Sequence, residues 1–269
     1  QNSEWSKRKI SNILNGNYPP KSGSIYLNGK DIYAHPAIIK NEMGYVAQDD
    51  ILIEELNVFE NLFFSAKLSM PEWSDEEITR RSNEVLKSVG LWECRRLRVG
   101  NILDKTISGG QRKRLNIALE LVRNSSVLFV DEPTSGLSSR DSEMIMDLLK
   151  ELTLRGKLIF VVIHQPSSDI FKMFDRLLLM DQGGYPIYYG NPVESILYFK
   201  RKAKFVSISD SQCPACGNVN PEQLFNIIEA KLVDEYGLET EIRKVTPQEW
   251  NQHFNLNYIP SIEVNSNND

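Results

Sequence analysis

Residues 127–134 read Val-Leu-Phe-Val-Asp-Glu-Pro-Thr, and this stretch decides the fold class of the chain. Four consecutive apolar residues without polar alternation are typical of a parallel-sheet strand that is covered on both faces. Asp131 and Glu132 follow the apolar run directly. Because ligands of open α/β folds bind at the carboxyl edge of the sheet, both acids are predicted to lie at a ligand-binding edge. The alternative is an ordinary strand that ends in a solvated acidic turn.

The two acids suit two different tasks at a triphosphate. Asp131, next to the strand, is a candidate ligand of Mg²⁺, either directly or through water, because hard cations prefer carboxylate oxygens. Glu132 is a candidate for polarising the water molecule that attacks the γ-phosphate. We therefore treat Glu132 as a candidate catalytic residue and Asp131 as a candidate metal and nucleotide ligand.

A second apolar run, residues 158–163, predicts another strand of the same kind. Residues 142–152 between the two runs have the spacing of a crossover helix, and residues 44–47 form a further short strand. Residues 56–123 are predicted to be mainly helical. The fold class is therefore α/β, with a mostly parallel sheet core and an inserted α-helical subdomain.

Residues 107–114 read Ile-Ser-Gly-Gly-Gln-Arg-Lys-Arg and open a predicted helix. Ser108 is a good N-cap, and Gly109 and Gly110 would let a phosphate approach the positive end of the helix. Together with Gln111 they are candidate nucleotide-binding residues, although an ordinary capped helix after a loop is the alternative. The basic residues 112–114 are predicted to form a solvated helix face.

Composition excludes several classes of protein. The chain has 269 residues, 25% of them charged, and a formal net charge of −5, which argues against a dedicated nucleic-acid binder. No run of eighteen apolar residues is present, so no membrane span is predicted. Three cysteines are too few for a disulfide scaffold and favour a reducing, cytosolic setting. Cys213 and Cys216 have half the spacing of a zinc ribbon, and whether they bind metal is left open.

The order of the two central motifs is informative. A Ser-Gly-Gly-Gln helix start followed closely by an apolar strand ending in Asp-Glu-Pro rarely arises by chance. The pair resembles the signature motif and the Walker B strand of ATP-binding cassette (ABC) proteins. The resemblance implies a P-loop NTPase-like core with ATP and Mg²⁺ as cofactors.

Three further positions match the same family. Gln48 follows the strand at residues 44–47, as the Q-loop glutamine does, which implies a contact with Mg²⁺ and water. Without the resemblance, Gln48 would be interpreted as a surface amide. His164 follows the second apolar run as the switch histidine does, which implies contact with the γ-phosphate and a catalytic role; a lone histidine after a strand is more often structural, but its spacing from Asp131 favours the switch role. Residues 135–137 match the start of the D-loop, but Ser138 stands where the family has aspartate.

Residues 164–171, His-Gln-Pro-Ser-Ser-Asp-Ile-Phe, and residues 188–190, Tyr-Tyr-Gly, resemble the G subfamily (the white, or eye-pigment-precursor, type). The resemblance covers roughly residues 7–200. It implies a second cassette packed head to tail, as a homodimer or a heterodimer, and a transmembrane domain as partners. It also implies a position at the cytoplasmic face of a membrane and no nucleic-acid partner.

The phosphate loop departs from the family pattern. Residues 1–9 occupy the place of its glycine-rich sequence, and of that pattern only Lys7 remains. Without glycine, close approach of the backbone to phosphates is sterically unfavourable. Lys7 is a candidate phosphate ligand, with a solvated lysine as the alternative, and the chain is interpreted either as an N-terminally truncated fragment or as a copy with a degenerate Walker A motif.

We expect an ABC ATP-binding domain over residues 1–202, with its helical subdomain at about residues 56–123. A C-terminal extension over residues 203–269 is expected to be partly helical, with one helix at residues 221–236 and a disordered tail over the last ten residues. The first functional hypothesis is an ATP-hydrolysing module that drives an attached membrane domain. The second is a catalytically degenerate cassette whose signature helix, the helix that begins after Ser108, completes the ATP site of a partner.

Overall fold

The computed structural model of the chain describes residues 10–101, 106–203 and 220–263, with side chains up to residue 256. The described residues form two compact units, 10–164 and 165–263, and each is described by itself. Residues 10–14 of the first unit are helical. The remaining elements of this unit are, in chain order, β1 (Tyr26–Leu27), β2 (Lys30–Asp31), α1 (Pro36–Glu42), β3 (Met43–Val46), α2 (Val58–Ser69), α3 (Asp75–Ser88), α4 (Gly109–Leu121), β4 (Val127–Asp131), α5 (Ser139–Leu154) and β5 (Leu158–Val162).

A three-stranded parallel sheet organises the first unit, with strand order β3-β4-β5. The central strand, β4, is buried at all five positions, as its unbroken apolar run predicts. Helix α5 connects β4 to β5 and is the crossover helix that the sequence predicted. The structure therefore confirms the α/β class and the parallel core.

The prediction that residues 158–163 form a strand covered on both faces is wrong. The strand exists as β5, but it is an edge strand among the described residues, and its side chains alternate in exposure. Leu158 is 51% exposed and Phe160 is 40% exposed. An apolar run by itself does not tell whether a strand has one neighbour or two, because both environments favour β-branched and aromatic residues.

Three helices, α2, α3 and α4, make up the inserted block that the sequence predicted. Each begins with a complete capping box, in which the N-cap side chain accepts from the N3 amide and the N3 side chain accepts from the N-cap amide. The cap and N3 residues are Asn57 with Glu60, Ser74 with Glu77, and Ser108 with Gln111. These local signals fix the starts of the three helices independently of how they pack.

The second unit contains α6 (Ser168–Met173), β6 (Leu177–Asp181), β7 (Tyr185–Gly190), α7 (Pro192–Lys202), α8 (Pro221–Ile228), β8 (Lys231–Val233), β9 (Glu239–Arg243) and α9 (Pro247–Glu263). Strands β6 and β7 form an antiparallel hairpin, and so do β8 and β9. An aromatic core of Tyr188, Phe199 and Trp250 is fully buried, and the Phe199 and Trp250 ring centroids lie 5.0 Å apart. Arg243 of β9 donates to both carboxylate oxygens of Asp181 on β6.

Two predictions for the C-terminal part are corrected. The helix predicted at residues 221–236 ends at Ile228, because Leu232 and Val233 belong to a hairpin whose turn contains Gly237 with φ +80°. A helix that was not predicted, α9, extends to Glu263 into the part that was expected to be disordered. The boundary proposed between residues 202 and 203 stays a prediction.

Candidate functional site

The carboxyl ends of the three parallel strands bring the predicted residues to one edge. The register pairs Val46 of β3 with Val130 of β4, and Asp131 of β4 with Val162 of β5. Gln48 comes two residues after β3, Glu132 directly after β4, and His164 two residues after β5. Because the strands are parallel and in register, all four predicted residues, Asp131 included, leave the sheet at the same edge.

Asp131 is the deepest of these residues. It is 5% exposed, and the hydroxyl of Tyr45 on the neighbouring strand donates to its Oδ2 at 3.4 Å. Gln48 is half-buried, whereas His164 is exposed. The site thus has a buried carboxylate at its base and accessible side chains around it.

Glu132 has an unusual backbone conformation, with φ +43°, in the left-handed region that favours glycine. Its amide donates to the carbonyl of Val162 at 2.8 Å, which extends the hydrogen bonding of β4 with β5 by one residue. The chain therefore turns sharply at the end of the strand while Glu132 stays tied to β5. Such strained conformations cluster at functional sites, which makes Glu132 a stronger candidate for a functional role.

The start of α4 has the geometry that its sequence predicts. Ser108 Oγ accepts from the Gln111 amide at 3.2 Å, and Gln111 Oε1 accepts from the Ser108 amide at 2.8 Å. Ser108 is exposed and Gly110 is buried. A Cβ atom on Gly110 would lie 2.4 Å from Oδ1 of Asp141, so a larger residue there would force the Asp141 side chain at the start of α5 to move.

Ser138, in the position of the D-loop aspartate, caps α5. Its Oγ accepts from the Asp141 amide at 3.1 Å and donates to the Asp141 carboxylate at 2.9 Å. Serine and aspartate are both good N-caps, so the exchange keeps the helix start but removes a negative charge. What the exchange changes is therefore the electrostatics of this surface and not the local fold.

The prediction of a solvated basic face at residues 112–114 is wrong. Arg112 and Lys113 are each only 6% exposed. Arg112 Nε donates to the Asp50 carboxylate at 2.7 Å, and its Nη1 donates to the carbonyl of Gly100 at 2.7 Å. The reason is that α4 is buried on nearly all sides, so cations near its start have to find buried acceptors.

Lys113 is the functional candidate that the sequence analysis missed. Its ammonium donates to the carbonyls of Ala47 and Gln48, at 3.0 Å each. Burial lowers the pKa of Lys113 below its ordinary value, while the carboxylates of Asp50, Asp131, Asp49 and Glu132 act in the opposite direction. The one available signal was the pair of aspartates after Gln48, since an acidic loop beside a buried helix favours a cationic neighbour.

The donor set at the edge fits a nucleotide-bound magnesium ion. Mg²⁺ is commonly held by one or two protein oxygens together with phosphates and water, and Asp131 and Gln48 supply oxygen ligands of that kind. Within the described parts of the chain no group of three or more His, Cys, Asp or Glu residues would hold a metal by itself. Lys7, Cys213 and Cys216 lie outside the described residues.

Comparison with known proteins supports the interpretation of the strand ends as part of an ATP-binding domain. Residues 7–135 match the family model described as ABC transporter, and residues 164–265 match the model described as ABC-2 type transporter. In the portions of the chain that the structure describes, no helix has the length and apolar character needed to cross a membrane.

Relatives from plants and animals match the chain. ABC transporter G family member 26 of Arabidopsis thaliana is 42% identical over 64% of this chain and 25% of its own length. The broad substrate specificity ATP-binding cassette transporter ABCG2 of Mus musculus is 38% identical over 72% of this chain and 29% of its own length. ABC transporter G family member 22 of Arabidopsis thaliana is 32% identical over 90% of this chain and 33% of its own length.

The chain thus spans between a quarter and a third of the length of these relatives. The family match includes the Gln48 strand, the signature helix and the Asp131–Glu132 strand end, and the parallel pairing of β3, β4 and β5 is consistent with such a domain. The chain belongs to the ABC transporter ATP-binding domains, and the relatives described above are G family members.

Proposed function

We propose that this chain binds and hydrolyses ATP and couples ATP-driven pairing of two cassettes to movement of a substrate by an attached membrane domain. The observation that supports the proposal most directly is the convergence of the candidate residues at one edge of the parallel sheet. Family membership supports ATP as the nucleotide.

In this proposal each residue at the edge has a separate task. Asp131 and Gln48 hold Mg²⁺, which neutralises phosphate charge when it is bound. Glu132 polarises the attacking water, and His164 contacts the γ-phosphate and orients that water. Lys7 contributes a phosphate contact.

The signature helix serves the partner cassette. Residues 108–111 start a capped helix whose exposed Ser108 and positive dipole end suit a phosphate of a second chain. A head-to-tail pair, as a homodimer or a heterodimer, would bring that helix end to the ATP of the other chain. The complex would lie at the cytoplasmic face of a membrane next to the transmembrane domain, consistent with the ABC-2 type match.

The experiment is Glu132→Gln in the complete protein. We expect steady-state ATP hydrolysis to be lost, because the variant cannot polarise the water, while ATP-dependent association of the cassettes persists. Glu143→Gln, which changes an exposed carboxylate on α5, is the matched control and should hydrolyse ATP normally. Undiminished turnover in Glu132→Gln would rule out the catalytic role.

A second function is favoured by the sequence of residues 1–9, which lacks the glycines of the phosphate loop. In this alternative the chain is a catalytically degenerate partner, and its signature helix completes the ATP site of another cassette. Titration of the chain with ATP and Mg²⁺ separates the two functions. Tight binding with hydrolysis excludes the degenerate partner, whereas no binding favours it.

A further inference from the structure

Helix α4 joins the signature motif to the loop that carries Gln48. Residues 108–111 open the helix, and the two buried cations Arg112 and Lys113 follow directly. Both cations contact residues 47–50, the loop after β3. The helix start and the Gln48 loop are therefore connected inside one chain through charged side chains that are shielded from water.

The contact from Lys113 is made to the backbone of the loop. Its ammonium bridges two consecutive carbonyls, those of Ala47 and Gln48. Fixing both carbonyls fixes the peptide planes on either side of the Gln48 Cα atom. Lys113 therefore restrains the direction in which the Gln48 side chain leaves the backbone.

A second set of contacts anchors the next part of the loop. The Asp50 carboxylate accepts from Arg112 at 2.7 Å and from the Asn116 side-chain amide at 2.6 Å. The Asn116 Oδ1 atom accepts from the Ile51 amide at 3.2 Å. Because Asn116 also lies on α4, the loop is held from one helix at two successive points.

We propose that Lys113 is a positioning residue that ties the Gln48 loop to the signature helix. The loop and the helix then move together when a nucleotide binds. This inference rests on the proposed function for its catalytic consequence. The contacts themselves concern the resting structure of the loop and are testable without ATP.

The first test measures amide hydrogen exchange at residues 48–51 in the complete protein without nucleotide. Lys113→Met removes the ammonium and keeps the length of the side chain. We expect exchange in this loop, above all at the Ile51 amide that donates to Asn116 Oδ1, to rise at least about tenfold. The loop should open more often once its carbonyls lose the ammonium, because hydrogen bonds to charged groups each contribute more than an ordinary hydrogen bond. Unchanged exchange at residues 48–51 would overturn the proposal.

The matched control is Arg114→Met, next along the same helix. Arg114 carries the same charge, but it contacts the carbonyls of Gly110 and Val89 instead of the loop. We expect exchange at residues 48–51 to stay at the wild-type rate in this variant. Equal acceleration in both variants would mean that loss of any cation loosens the helix, and the specific role of Lys113 would be refuted.

The second test is a double-mutant cycle on ATP hydrolysis in the complete protein. If Lys113 acts through Gln48, Lys113→Met lowers kcat in the wild-type background and has no further effect in a Gln48→Ala background. Additive losses would overturn the positioning role. Lys113→Arg keeps the charge and should retain more activity than Lys113→Met; if it does not, the charge is not what matters.

The two tests also separate this inference from the proposed function. If the wild-type protein hydrolyses no ATP, the proposed function fails on that measurement alone, and the exchange experiment still decides whether Lys113 positions the loop. If Lys113→Met does not fold, Lys113→Arg and Lys113→Gln take its place in the exchange measurement. Lys113→Gln keeps a hydrogen-bond donor without the charge, so we expect an exchange rate between that of the wild type and that of a variant without a donor. A wild-type exchange rate in Lys113→Gln would show that the charge of the ammonium is not needed.

Discussion

Glu132 has a backbone conformation that residues with a side chain rarely adopt, at a cost of about 1–2 kcal/mol. Its position after Asp131 followed from the sequence, but its conformation did not, because no local pattern distinguishes a relaxed acidic turn from a strained one. The hydrogen bond that the Glu132 amide donates to the Val162 carbonyl shows what maintains the strained backbone. A fixed backbone at the edge of the sheet limits the directions in which the Glu132 side chain can leave it, which suits the proposed water-polarising role.

The burial of a single ionisable side chain, Glu120, also affects how the stability of the protein depends on pH. Burial raises the pKa of Glu120 on α4, and the Arg123 guanidinium, 3.5 Å away, and the Tyr45 amide only partly offset it. A folded pKa above the unfolded value means that the stability contributed by this group is complete below about 4.5 and is lost as the pH rises through the folded pKa.

We therefore expect Glu120→Gln, which stays neutral, to gain stability relative to the wild type as the pH rises from about 4.5 to about 7.5. The measurement is urea unfolding of the chain at a series of pH values. Glu143→Gln is the control, and its difference from the wild type should stay flat. If the Glu120→Gln difference falls with increasing pH, the assignment is refuted.

At the scale of elements, two consecutive glycines at the start of α4 have unequal surroundings. A Cβ on Gly110 would lie 2.7 Å from Asp141 Cγ, whereas a Cβ on Gly109 would meet Leu137 Cδ2 at 3.3 Å. Asp141 is tied to Ser138, so moving it would weaken the cap of α5. The signature motif therefore also has a structural function within its own chain.

We expect Gly110→Ala to be less stable than Gly109→Ala by about 1–2 kcal/mol, roughly the free energy of one helix cap. Both variants gain similar helix propensity, so their difference isolates the contact with Asp141. Chemical denaturation of the two variants side by side provides the measurement. Equal stabilities would show that Asp141 moves away without cost.

The sequence predicted the elements whose signals are local. The N-cap Ser108 and the apolar run of β4 each contain the local information that forms the element. It could not predict the exposed face of β5, because that depends on the number of strands in the sheet. The burial of Lys113 was also missed, since a cation beside a helix start is solvated in most proteins. Here the helix is buried on nearly all sides, and the carbonyls of a distant loop accept from the ammonium.

At the scale of the whole molecule, the chain supplies only part of the ATP site that we propose, and a second cassette supplies the rest. Gln48, Asp131, Glu132 and His164 come from its own sheet, whereas the signature helix would act on a nucleotide of another cassette. The match covers only a quarter to a third of the length of these relatives, and the membrane domain remains part of the proposal. Lys113 would then transmit the position of the partner's nucleotide to Gln48 of the same chain.

The most direct measurement is a structure of the complete Glu132→Gln protein with ATP and Mg²⁺. We expect the metal ion between the Asp131 carboxylate and the Gln48 amide oxygen, and the γ-phosphate next to His164, with residues 108–111 of a second cassette on its far side. A nucleotide bound away from the ends of β3, β4 and β5, or a signature helix that contacts no phosphate, would show that these residues do not form the proposed ATP site.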